Sequence, residues 1–386
     1  MPDGRALGAS RARRSDIDLL RVVACYLGFP LHSAAIFGHH TLYHVKNAIQ
    51  SAAFDAVADF LHQWRMPLFF LIAGWSAFTV LARRSNGTFL RERLDRLLVP
   101  VAFGVILFCP IMKYIERRGG IDLRPSGPQA GGDFTLSFLE FLPRFFGNLN
   151  QFSWSHLWFL IYLLVFSVVW LPLLRRMARM TALEAAAWIY LPLLPLILVQ
   201  ITLRPVFGDY PNLYSDWANL TFYSVFFLAG AMLACHAALE EAVRCRWPWL
   251  GALALVAYAG RTAIDQPVLR DVFGAVVAWG FVLALLGFAR RWQEGDGPAV
   301  RYLRDSALPI YVLHNFAVVA LGAWVVGLSL SLPVKFAAVL AGSVVVTLAT
   351  YHVLVRRSLL LRRLCGMRLL PVDAAAAVAP RRVEQG

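Results

Sequence analysis

Charged residues are scarce in this chain of 386 residues, since Asp, Glu, Lys and Arg together make up only 16% of it. Hydrophobic residues reach 59%, and the mean hydropathy is +0.60. Soluble domains carry about 25% charged residues, so this composition excludes a soluble enzyme. The net charge of +14 does not indicate a nucleic-acid surface, because the 37 Lys and Arg lie almost entirely between apolar runs.

Cysteine is also scarce, and several motifs of soluble enzymes are missing. The five cysteines are scattered, which argues against a disulfide framework or a metal-ligand spacing. His39, His40 and His44 are close in sequence, but no carboxylate or cysteine accompanies them at a useful spacing, so we predict no metal site. The sequence has no Walker loop, no Rossmann glycine pattern and no nucleophile elbow.

Long apolar runs recur along nearly the whole chain and predict an all-α, polytopic membrane bundle of about ten transmembrane helices. A run of about 20 residues crosses a hydrocarbon core of roughly 30 Å as a helix. The spans are expected near residues 17–37, 57–81, 97–114, 156–174, 183–203, 218–236, 248–263, 272–289, 306–327 and 334–355. The seventh and eighth spans are the weakest, because the short charged link between them could instead be a re-entrant turn.

The distribution of Lys and Arg predicts the orientation of these spans. With both termini cytoplasmic, the cytoplasmic segments hold 25 of the 37 Lys and Arg and the outer segments hold 10. The other two, Arg21 and Arg65, lie within apolar spans. The predicted domains are a basic cytoplasmic N-terminus (1–16), a transmembrane domain (17–355) and a basic, partly disordered cytoplasmic tail (356–386).

The first predicted helix carries three ionisable residues on one face. Asp18 and Arg21 are spaced i,i+3, and His32 follows Arg21 after eleven residues, which is about three helical turns. Ionisable groups inside a bilayer are candidate functional residues because burying their charge is costly. We expect Arg21 near the cytoplasmic surface and His32 about 8 Å from the outer end of the helix.

The second predicted helix runs in the opposite direction and carries His62 and Arg65, also spaced i,i+3. Arg65 should lie at the depth of His32. We therefore predict a buried polar cluster of His32, His62 and Arg65, in which an imidazole accepts a proton and the arginine stabilises a carboxylate or an oxyanion. The alternative is that these side chains only join helices by hydrogen bonds.

Four further residues are candidates for substrate binding, each with a structural alternative. His156 and Trp158 begin the fourth predicted helix at the outer interface, where an aromatic belt is also expected. Tyr311 and His314 share one face near mid-membrane, where helix packing is the alternative. The longest outer segment, 115–155, contains glycine and proline and predicts an irregular connection, either a linker or part of a substrate entrance.

Arg91, Arg93 and Arg96 lie between the second and third predicted spans. Most such arginines only mark a cytoplasmic loop. These three also lie at the end of the bundle of the first three helices, where guanidinium groups could bind the phosphates of a cytoplasmic donor. Both interpretations stay open.

Five segments together resemble the integral-membrane acyltransferase 3 family. They are DLLRVVACYLGFPLH, WRMPLFFLIAGW, RERLDRLLVP, SHLWFLIYLL and LPIYVLHNF. Within that family, GFPLHSAAIFGHHTLYHV and FLHQWRMPLFF look most like the branch of glucans biosynthesis protein C. The resemblance matches His32 to the family's essential histidine and Arg21 to its partner arginine. The middle of the chain, residues 181–293, matches more loosely.

The resemblance implies transfer of a succinyl or acetyl group from cytoplasmic acyl-CoA to a hydroxyl of an extracytoplasmic glucan or other polysaccharide, at a bacterial inner membrane. Acyl-CoA is then a co-substrate, with no permanently bound cofactor, the partners are the lipid bilayer and a carbohydrate acceptor, and a homodimer is left open. His32 would act as a general base or carry the acyl group covalently, with Arg65 and His62 beside it.

A secondary transporter is the alternative function, with a proton or anion pathway through Asp18, Arg21, His32 and Arg65. Transporters usually show paired halves with interrupted helices, and no such pairing is visible in the sequence. A structural scaffold is a third interpretation, but it would not require buried arginine and histidine.

Overall fold

The computed structural model describes residues 14–124, 127–130, 134–179, 186–291 and 297–367, which form a helical bundle. Its α-helices are α1 (Ser15–Tyr26), α2 (Gly28–Phe37), α3 (Ala52–Leu81), α4 (Asn86–Arg93), α5 (Val99–Leu107), α6 (Cys109–Arg118), α7 (Phe138–Gly147), α8 (Trp158–Val169), α9 (Leu171–Met177), α10 (Leu193–Thr202), α11 (Arg204–Phe207), α12 (Trp217–Cys235), α13 (Ala237–Ala263), α14 (Pro267–Ala289), α15 (Pro298–Val325), α16 (Leu332–Thr350) and α17 (Leu359–Leu364). A β-hairpin pairs β1 (Ile121–Arg124) antiparallel with β2 (Gly127–Ala130). Most of the predicted N-terminal segment and the tail from residue 368 onward lie outside the described residues.

Seven helices or continuous helix runs among the described residues are long and apolar enough to cross a membrane. They are Ser15–Phe37, Ala52–Leu81, Asn86–Arg118, Trp217–Cys235, Pro267–Ala289, Pro298–Val325 and Leu332–Val355. Ser155–Val169 and Leu171–Met177 form an eighth if the pair, bent by 60°, counts as one span. Helices suit this environment because each backbone N–H and C=O must be paired in the absence of water. The prediction of an all-α, multi-pass membrane bundle is confirmed.

Two of the ten predicted spans, 183–203 and 248–263, are helical but do not qualify as spans by length and hydropathy. The first contains a 3₁₀ turn followed by α10, in an apolar stretch shorter than the seven long helices. The second lies in the latter part of α13, a helix whose first part carries Glu240, Glu241 and Arg244. α13 packs along α14, which places it within the bundle.

The first span contains a break between α1 and α2 at Leu27. Pro30 has no backbone N–H, so it cannot donate to the carbonyl of Tyr26, and the regular helical pattern is interrupted there. The chain continues in the same span because Leu27 N donates to Val23 O and Leu31 N donates to Leu27 O, at 3.0 and 3.3 Å. The predicted single helix is therefore two helices, and His32 belongs to the second.

Helices α3 and α12 cross closely because glycine lies at the contact on both sides. A Cβ atom on Gly74 would overlap the carbonyl oxygen of Phe227, and a Cβ atom on Gly230 would overlap that of Leu71. Small residues at such crossings allow backbones in a membrane to approach each other. The first half of α3, which carries Arg65, is thereby held against the centre of the bundle.

The described residues of the segment 115–155 have more regular secondary structure than the sequence suggests. It contains the end of α6, the hairpin and α7, which begins with a capping box between Ser137 and Glu140. Lys113 anchors the hairpin, because its Nζ lies 2.5 Å from Glu116 Oε1, 3.0 Å from Asp122 Oδ1 and 2.6 Å from Leu123 O. The prediction of an irregular connection is wrong, since the sequence pattern does not reveal that these charges pair with one another.

The two ends of the bundle differ in character. We call the end that contains residues 38–51, 148–157 and 208–216 the pocket end. The opposite end, the arginine end, contains the start of α1, the end of α3 and α4. There Arg14 pairs with Glu240, and Arg96 Nε donates to Gly366 O at 3.4 Å. The first and the last described parts of the chain therefore lie at the same end.

Candidate active site

A cavity of about 320 Å³ opens at the pocket end of the bundle. Its lining comes from the second, third and fifteenth helices, from the turn before α8 and from three connecting segments. The ionisable and aromatic side chains that matter most for its chemistry are His32, Arg65, His156, Trp158, Tyr311 and His314. His62 also lines the cavity, so the structure brings together seven of the twelve residues for which the sequence predicts a functional role.

Three imidazole rings lie side by side in this cavity. The ring centroid of His314 is 5.3 Å from that of His32 and 5.3 Å from that of His156. His32 also stacks on Tyr43, with ring centroids 5.5 Å apart. Each ring comes from a different part of the chain, namely α2, the turn before α8 and the middle of α15. The cavity therefore holds three groups of a type suited to proton transfer near neutral pH.

Hydrogen bonds orient two of these rings. His314 Nδ1 lies 2.9 Å from Tyr311 O and 3.1 Å from Ile310 O, so Nδ1 carries the hydrogen. His156 Nε2 donates to Val312 O at 3.2 Å, and Tyr311 donates its hydroxyl hydrogen to His156 O. Within the described residues, His314 Nε2 and His156 Nδ1 are buried and have no hydrogen-bond partner. Each ring thus retains a nitrogen lone pair that can accept a proton.

Arg65 lies beside these rings as a buried cation. Its side chain stands over the Phe69 ring, and its Nη1 donates to Ala24 O at the long distance of 3.4 Å. No ion pair to Arg65 is found among the described residues, and its Nε has no hydrogen-bond partner there. Gly28 provides the space, because a Cβ at this position would lie 2.7 Å from His314 Nε2 and 2.9 Å from Arg65 Nη1. A buried guanidinium of this kind can bind an oxyanion or a carboxylate.

His62 does not belong to the buried cluster that the sequence predicts. It contributes to the cavity lining, but its side chain is 51% exposed and its Nε2 lies 3.7 Å from Asp209 Oδ2. The i,i+3 spacing puts His62 on nearly the same face of α3 as Arg65. His62 lies one helical turn closer to the pocket end, where the cavity opens. The expectation that His62 is buried is therefore corrected, and it lies at the rim.

Trp158 lies in an aromatic cluster within the bundle. Its ring centroid is 5.1 Å from that of Tyr162 and 5.5 Å from that of Tyr223. Phe70 contacts the same group, with its centroid 4.5 Å from that of Tyr223. Trp158 therefore forms part of the cavity wall, which differs from the membrane-interface belt considered from the sequence.

Asp18 and Arg21 lie away from the cavity, towards the arginine end. Arg21 Nη1 is 3.1 Å from Asp18 Oδ1, and its Nη2 donates to Ser76 Oγ at 2.9 Å. Arg304 is also near, with its Nη1 3.9 Å from Asp18 Oδ2. Eleven residues of helix separate Arg21 from His32, a rise of about 16 Å. Neither Asp18 nor Arg21 lines the cavity, and a role for them in catalysis stays a prediction.

Arg93 lies within electrostatic range of both Arg96 and Arg21. Arg93 stands over the Phe89 ring, 5.0 Å from its centroid, while Arg91 is exposed on the opposite side of α4. We refer to Arg21, Arg93 and Arg96 as the arginine cluster. A concentration of guanidinium groups suits a ligand with several phosphates, and the structure joins Arg21 to this group more closely than to His32.

The sequence predicts no catalytic role for four hydrogen-bonded residues at or beside the cavity, namely His44, Glu116, Ser155 and Asn315. Ser155 Oγ lies 3.0 Å from His44 Nε2, and His44 Nδ1 lies 2.6 Å from Glu116 Oε2. Asn315 Nδ2 donates to Ser155 Oγ at 3.2 Å. The sequence signals were the positions of Ser155 next to His156 and of Asn315 next to His314, because the hydrogen-bonded partners are separated by 72 to 160 residues along the chain.

Ser155 also has an unusual backbone conformation, with a φ of +45°. This left-handed conformation disfavours a residue with a Cβ and costs on the order of 1–3 kcal/mol. It occurs where the chain turns into α8, so that the serine side chain and that of His156 both face the cavity. Strain of this kind persists only where surrounding contacts hold it, and here His44, Asn315 and Ser153 all hydrogen-bond to Ser155.

Comparison with known proteins agrees with this arrangement. A family model described as an acyltransferase domain, of the acyltransferase 3 family, matches residues 14–352. Glucans biosynthesis protein C of Salmonella schwarzengrund and of Salmonella agona are each 25% identical over 338 aligned residues, which cover 80% of this chain and 83% of each relative. No solved structure gives a significant match. Because the family match extends over most of the chain, this membrane protein belongs to the acyltransferase 3 family and is an acyltransferase that transfers groups other than aminoacyl groups.

Proposed function

We propose that the chain transfers a succinyl or acetyl group from cytoplasmic acyl-CoA to a hydroxyl of an extracytoplasmic glucan or other polysaccharide. The observation that carries the proposal is the separation of two complementary sites along one span. The arginine cluster lies at one end and the imidazole-lined cavity lies about 16 Å further along. A donor with a phosphate-bearing head and a long flexible arm fits that arrangement, since its head and its reactive end differ in chemistry.

The proposed orientation places the arginine end in the cytoplasm of a bacterium and the pocket end outside its inner membrane. The distribution of Lys and Arg supports this, because 25 of the 37 lie in segments assigned to the cytoplasm. The same assignment gives ten spans if the stretches 183–203 and 248–263 also cross. Both termini are then cytoplasmic, in agreement with the position of Arg14 and Gly366 at the arginine end.

The arginine cluster is the proposed site for the phosphates of acyl-CoA, which acts as a co-substrate. Arg93 and Arg96 present guanidinium groups near Arg21, and Arg304 lies near Asp18 beside them. Charge-assisted hydrogen bonds to phosphate are about twice as strong as neutral ones. The acyl arm would extend from there between α1, α3 and α15 towards the cavity.

His32 is the proposed base that takes the proton of the acceptor hydroxyl. It lies between Tyr43 and His314 in the cavity. Arg65 is placed to stabilise the oxyanion of the tetrahedral intermediate or to bind the free carboxylate of a succinyl group. His62 at the rim and the aromatic wall that includes Trp158 are candidates for contact with the carbohydrate, whose ring faces pack against aromatic side chains.

The name of the relatives supports a glucan as acceptor, because they are called glucans biosynthesis protein C. A test is mass spectrometry of purified surface and periplasmic glycans from cells with and without the gene. A second arm expresses His32→Ala, with the exposed His39→Ala as the matched control. The proposal predicts that an acyl ester disappears in the deletion and in His32→Ala and persists in the control.

A secondary transporter predicts a different result in a purified system. Acyl-CoA added to the purified chain should release free CoA thiol when a glycan acceptor is present. Release of more than one equivalent of thiol per enzyme that depends on His32 supports acyl transfer. An intact thioester together with flux of a proton or anion through proteoliposomes would overturn the proposed function and favour the transporter.

A further inference from the structure

Ser155, His44 and Glu116 form a hydrogen-bonded line at the edge of the cavity, with distances of 3.0 and 2.6 Å between their polar atoms. We infer that they act as a nucleophilic triad, in which Ser155 carries the acyl group as an ester between donor and acceptor. This inference rests on the proposed function, because the first step needs an acyl-CoA donor. It adds a covalent intermediate and a second histidine to the reaction.

Contacts on both sides of the line are consistent with one direction for its hydrogen bonds when the His44 ring is neutral. Glu116 Oε1 already accepts from Lys113 Nζ at 2.5 Å and from Leu123 N at 2.7 Å, which suits a carboxylate. Its Oε2 therefore accepts from His44 Nδ1–H. When the His44 ring is neutral, its Nε2 keeps a lone pair and accepts the hydrogen of the Ser155 hydroxyl.

The other side of Ser155 gives the same assignment. Tyr43 donates its hydroxyl hydrogen to Asn315 Oδ1 at 2.6 Å, so the Asn315 amide nitrogen faces Ser155. That nitrogen donates to Ser155 Oγ at 3.2 Å. With a neutral His44, Ser155 Oγ accepts from Asn315 and donates its own hydrogen to His44 Nε2. This is the arrangement in which an adjacent base activates a hydroxyl as a nucleophile.

Three features favour chemistry over a structural network. Ser155 and His44 both line the cavity, so the hydroxyl is within reach of a ligand there. Ser155 keeps a left-handed backbone conformation at a position that lines the cavity. The network also ends beside the proposed base, because the Tyr43 ring that orients Asn315 stacks on His32.

The proposed reaction has two balanced steps. First, Ser155 Oγ attacks the thioester carbon of acyl-CoA, its proton passes to His44 Nε2, the C–S bond breaks and the CoA thiolate leaves. The His44 imidazolium is then paired with the Glu116 carboxylate. Second, the acceptor hydroxyl gives its proton to His32 and attacks the acyl carbon, the bond between that carbon and Oγ breaks, and Oγ recovers its proton from His44. The proton on His32 neutralises the thiolate.

This sequence assigns the two histidines to different steps. His44 is needed to form the ester on Ser155, whereas His32 is needed to remove it to the acceptor. Replacement of His32 should therefore stop product formation and leave the first step intact, so the acylated enzyme accumulates. Replacement of Ser155 should remove both the intermediate and the product.

The test uses the purified full chain with radiolabelled acetyl-CoA or succinyl-CoA, quenched in acid and analysed by peptide mass spectrometry. We expect label on Ser155 in the wild type without acceptor and at higher occupancy in His32→Ala with acceptor. No label is expected in Ser155→Ala or His44→Gln. The control for serine is Ser167→Ala, whose hydroxyl bonds to Leu163 O within α8.

A chemical signature identifies the ester and guards against misfolded variants. An oxygen ester on Ser155 resists neutral hydroxylamine, whereas an acyl-imidazole on His32 does not. Ser155→Cys keeps a nucleophile beside His44 and should retain label that becomes hydroxylamine-sensitive, since it is then a thioester. Loss of label in Ser155→Ala together with sensitive label in Ser155→Cys supports the triad.

Several results would overturn the inference without affecting the proposed function. One is acyl transfer by Ser155→Ala at half the wild-type rate or more. Another is label on a histidine instead of on Ser155. The third is that neither the wild type nor His32→Ala carries label although the wild type transfers acyl groups to the acceptor. Failure of the wild type to release thiol or form product under any condition would instead overturn the proposed function.

Discussion

Gly28→Ala is a sensitive test of the cavity, because the change adds one methyl group where two functional side chains meet. The new Cβ would lie 2.7 Å from His314 Nε2 and 2.9 Å from Arg65 Nη1, whereas ordinary contacts of a Cβ atom are 3.4 to 4 Å. Both groups must therefore move by about 0.5–1 Å, and a displacement of that order can lower a rate about 100-fold. His314 cannot move freely, since its Nδ1 is bound to the carbonyls of α15.

The same substitution should not destabilise the helix. Alanine is more favourable than glycine in a helix interior by about 1 kcal/mol, and Gly28 is not among the glycines with positive φ. We therefore expect kcat to fall about 10- to 100-fold while the thermal unfolding temperature in detergent stays within a few degrees. The KM for acyl-CoA should change little, because the arginine cluster is at the other end of α1.

The assay is steady-state release of CoA thiol together with thermal unfolding of the purified protein. Gly251→Ala is the matched control, because a Cβ there would meet only Ala284 Cβ at 3.5 Å, an ordinary contact. A Gly28→Ala protein with wild-type kcat would show that the space between Arg65 and His314 is not used in the reaction, and the proposed role of Arg65 would fail.

Three further predictions address the donor, the orientation and a buried acid. Arg93→Ala should raise the KM for acyl-CoA about ten-fold or more with little change in kcat, since a charge-assisted hydrogen bond contributes roughly 1.5–3 kcal/mol. An unchanged KM would show that Arg93 does not bind the donor and only marks a cytoplasmic segment. In a Cys245→Ser background, a cysteine introduced at Gly87 should be protected from an impermeant thiol reagent added outside intact cells, and a cysteine introduced at Asn150 should be labelled. The reverse pattern would place the arginine end outside and invert the proposed direction of acyl transfer. Burial raises the pKa of Asp216 to about 6 from 3.8. The wild type should therefore lose about 2–3 kcal/mol of its free energy of unfolding, relative to Asp216→Asn, as pH rises from about 4 to 7. Parallel curves of unfolding free energy against pH for the two proteins would contradict this.

The membrane bundle was predictable because lipid leaves the backbone few choices. A run of about 20 apolar residues without water must pair its own N–H and C=O groups, so hydropathy alone identifies a helix. The same cost argument identified His32 and Arg65, since an ionisable group in an apolar run must have a role or a partner. The cost argument does not predict where along the span each group acts. Arg21 lies near Arg93, although Arg21 shares a helix run with His32.

Local spacing was a weaker guide at the pocket end. The i,i+3 relation between His62 and Arg65 is correct, yet one turn of α3 separates a buried side chain from one that is 51% exposed. His156 looked like an interface residue because it begins a helix. Its burial results from contact with α15, where Val312 O accepts from its ring and Tyr311 donates to its backbone. Periodicity describes one helix at a time and carries no information about such partners.

The line from Glu116 to His44 to Ser155 shows why this limit matters most for chemistry. Its members lie 72 and 111 residues apart, on the end of one helix, on a connecting segment and at a turn, so no spacing rule brings them together. The connecting segment takes its course because Asp55 accepts hydrogen bonds from the backbone of His39, His40 and Thr41. One carboxylate at the start of α3 thus fixes the path that carries His44 to Glu116.

A nucleophile elbow was absent as a sequence motif, yet a strained serine beside an imidazole and a carboxylate is present in space. A catalytic constellation is recognised by geometry and by the order of its hydrogen bonds, and in a membrane bundle both are properties of the assembled helices.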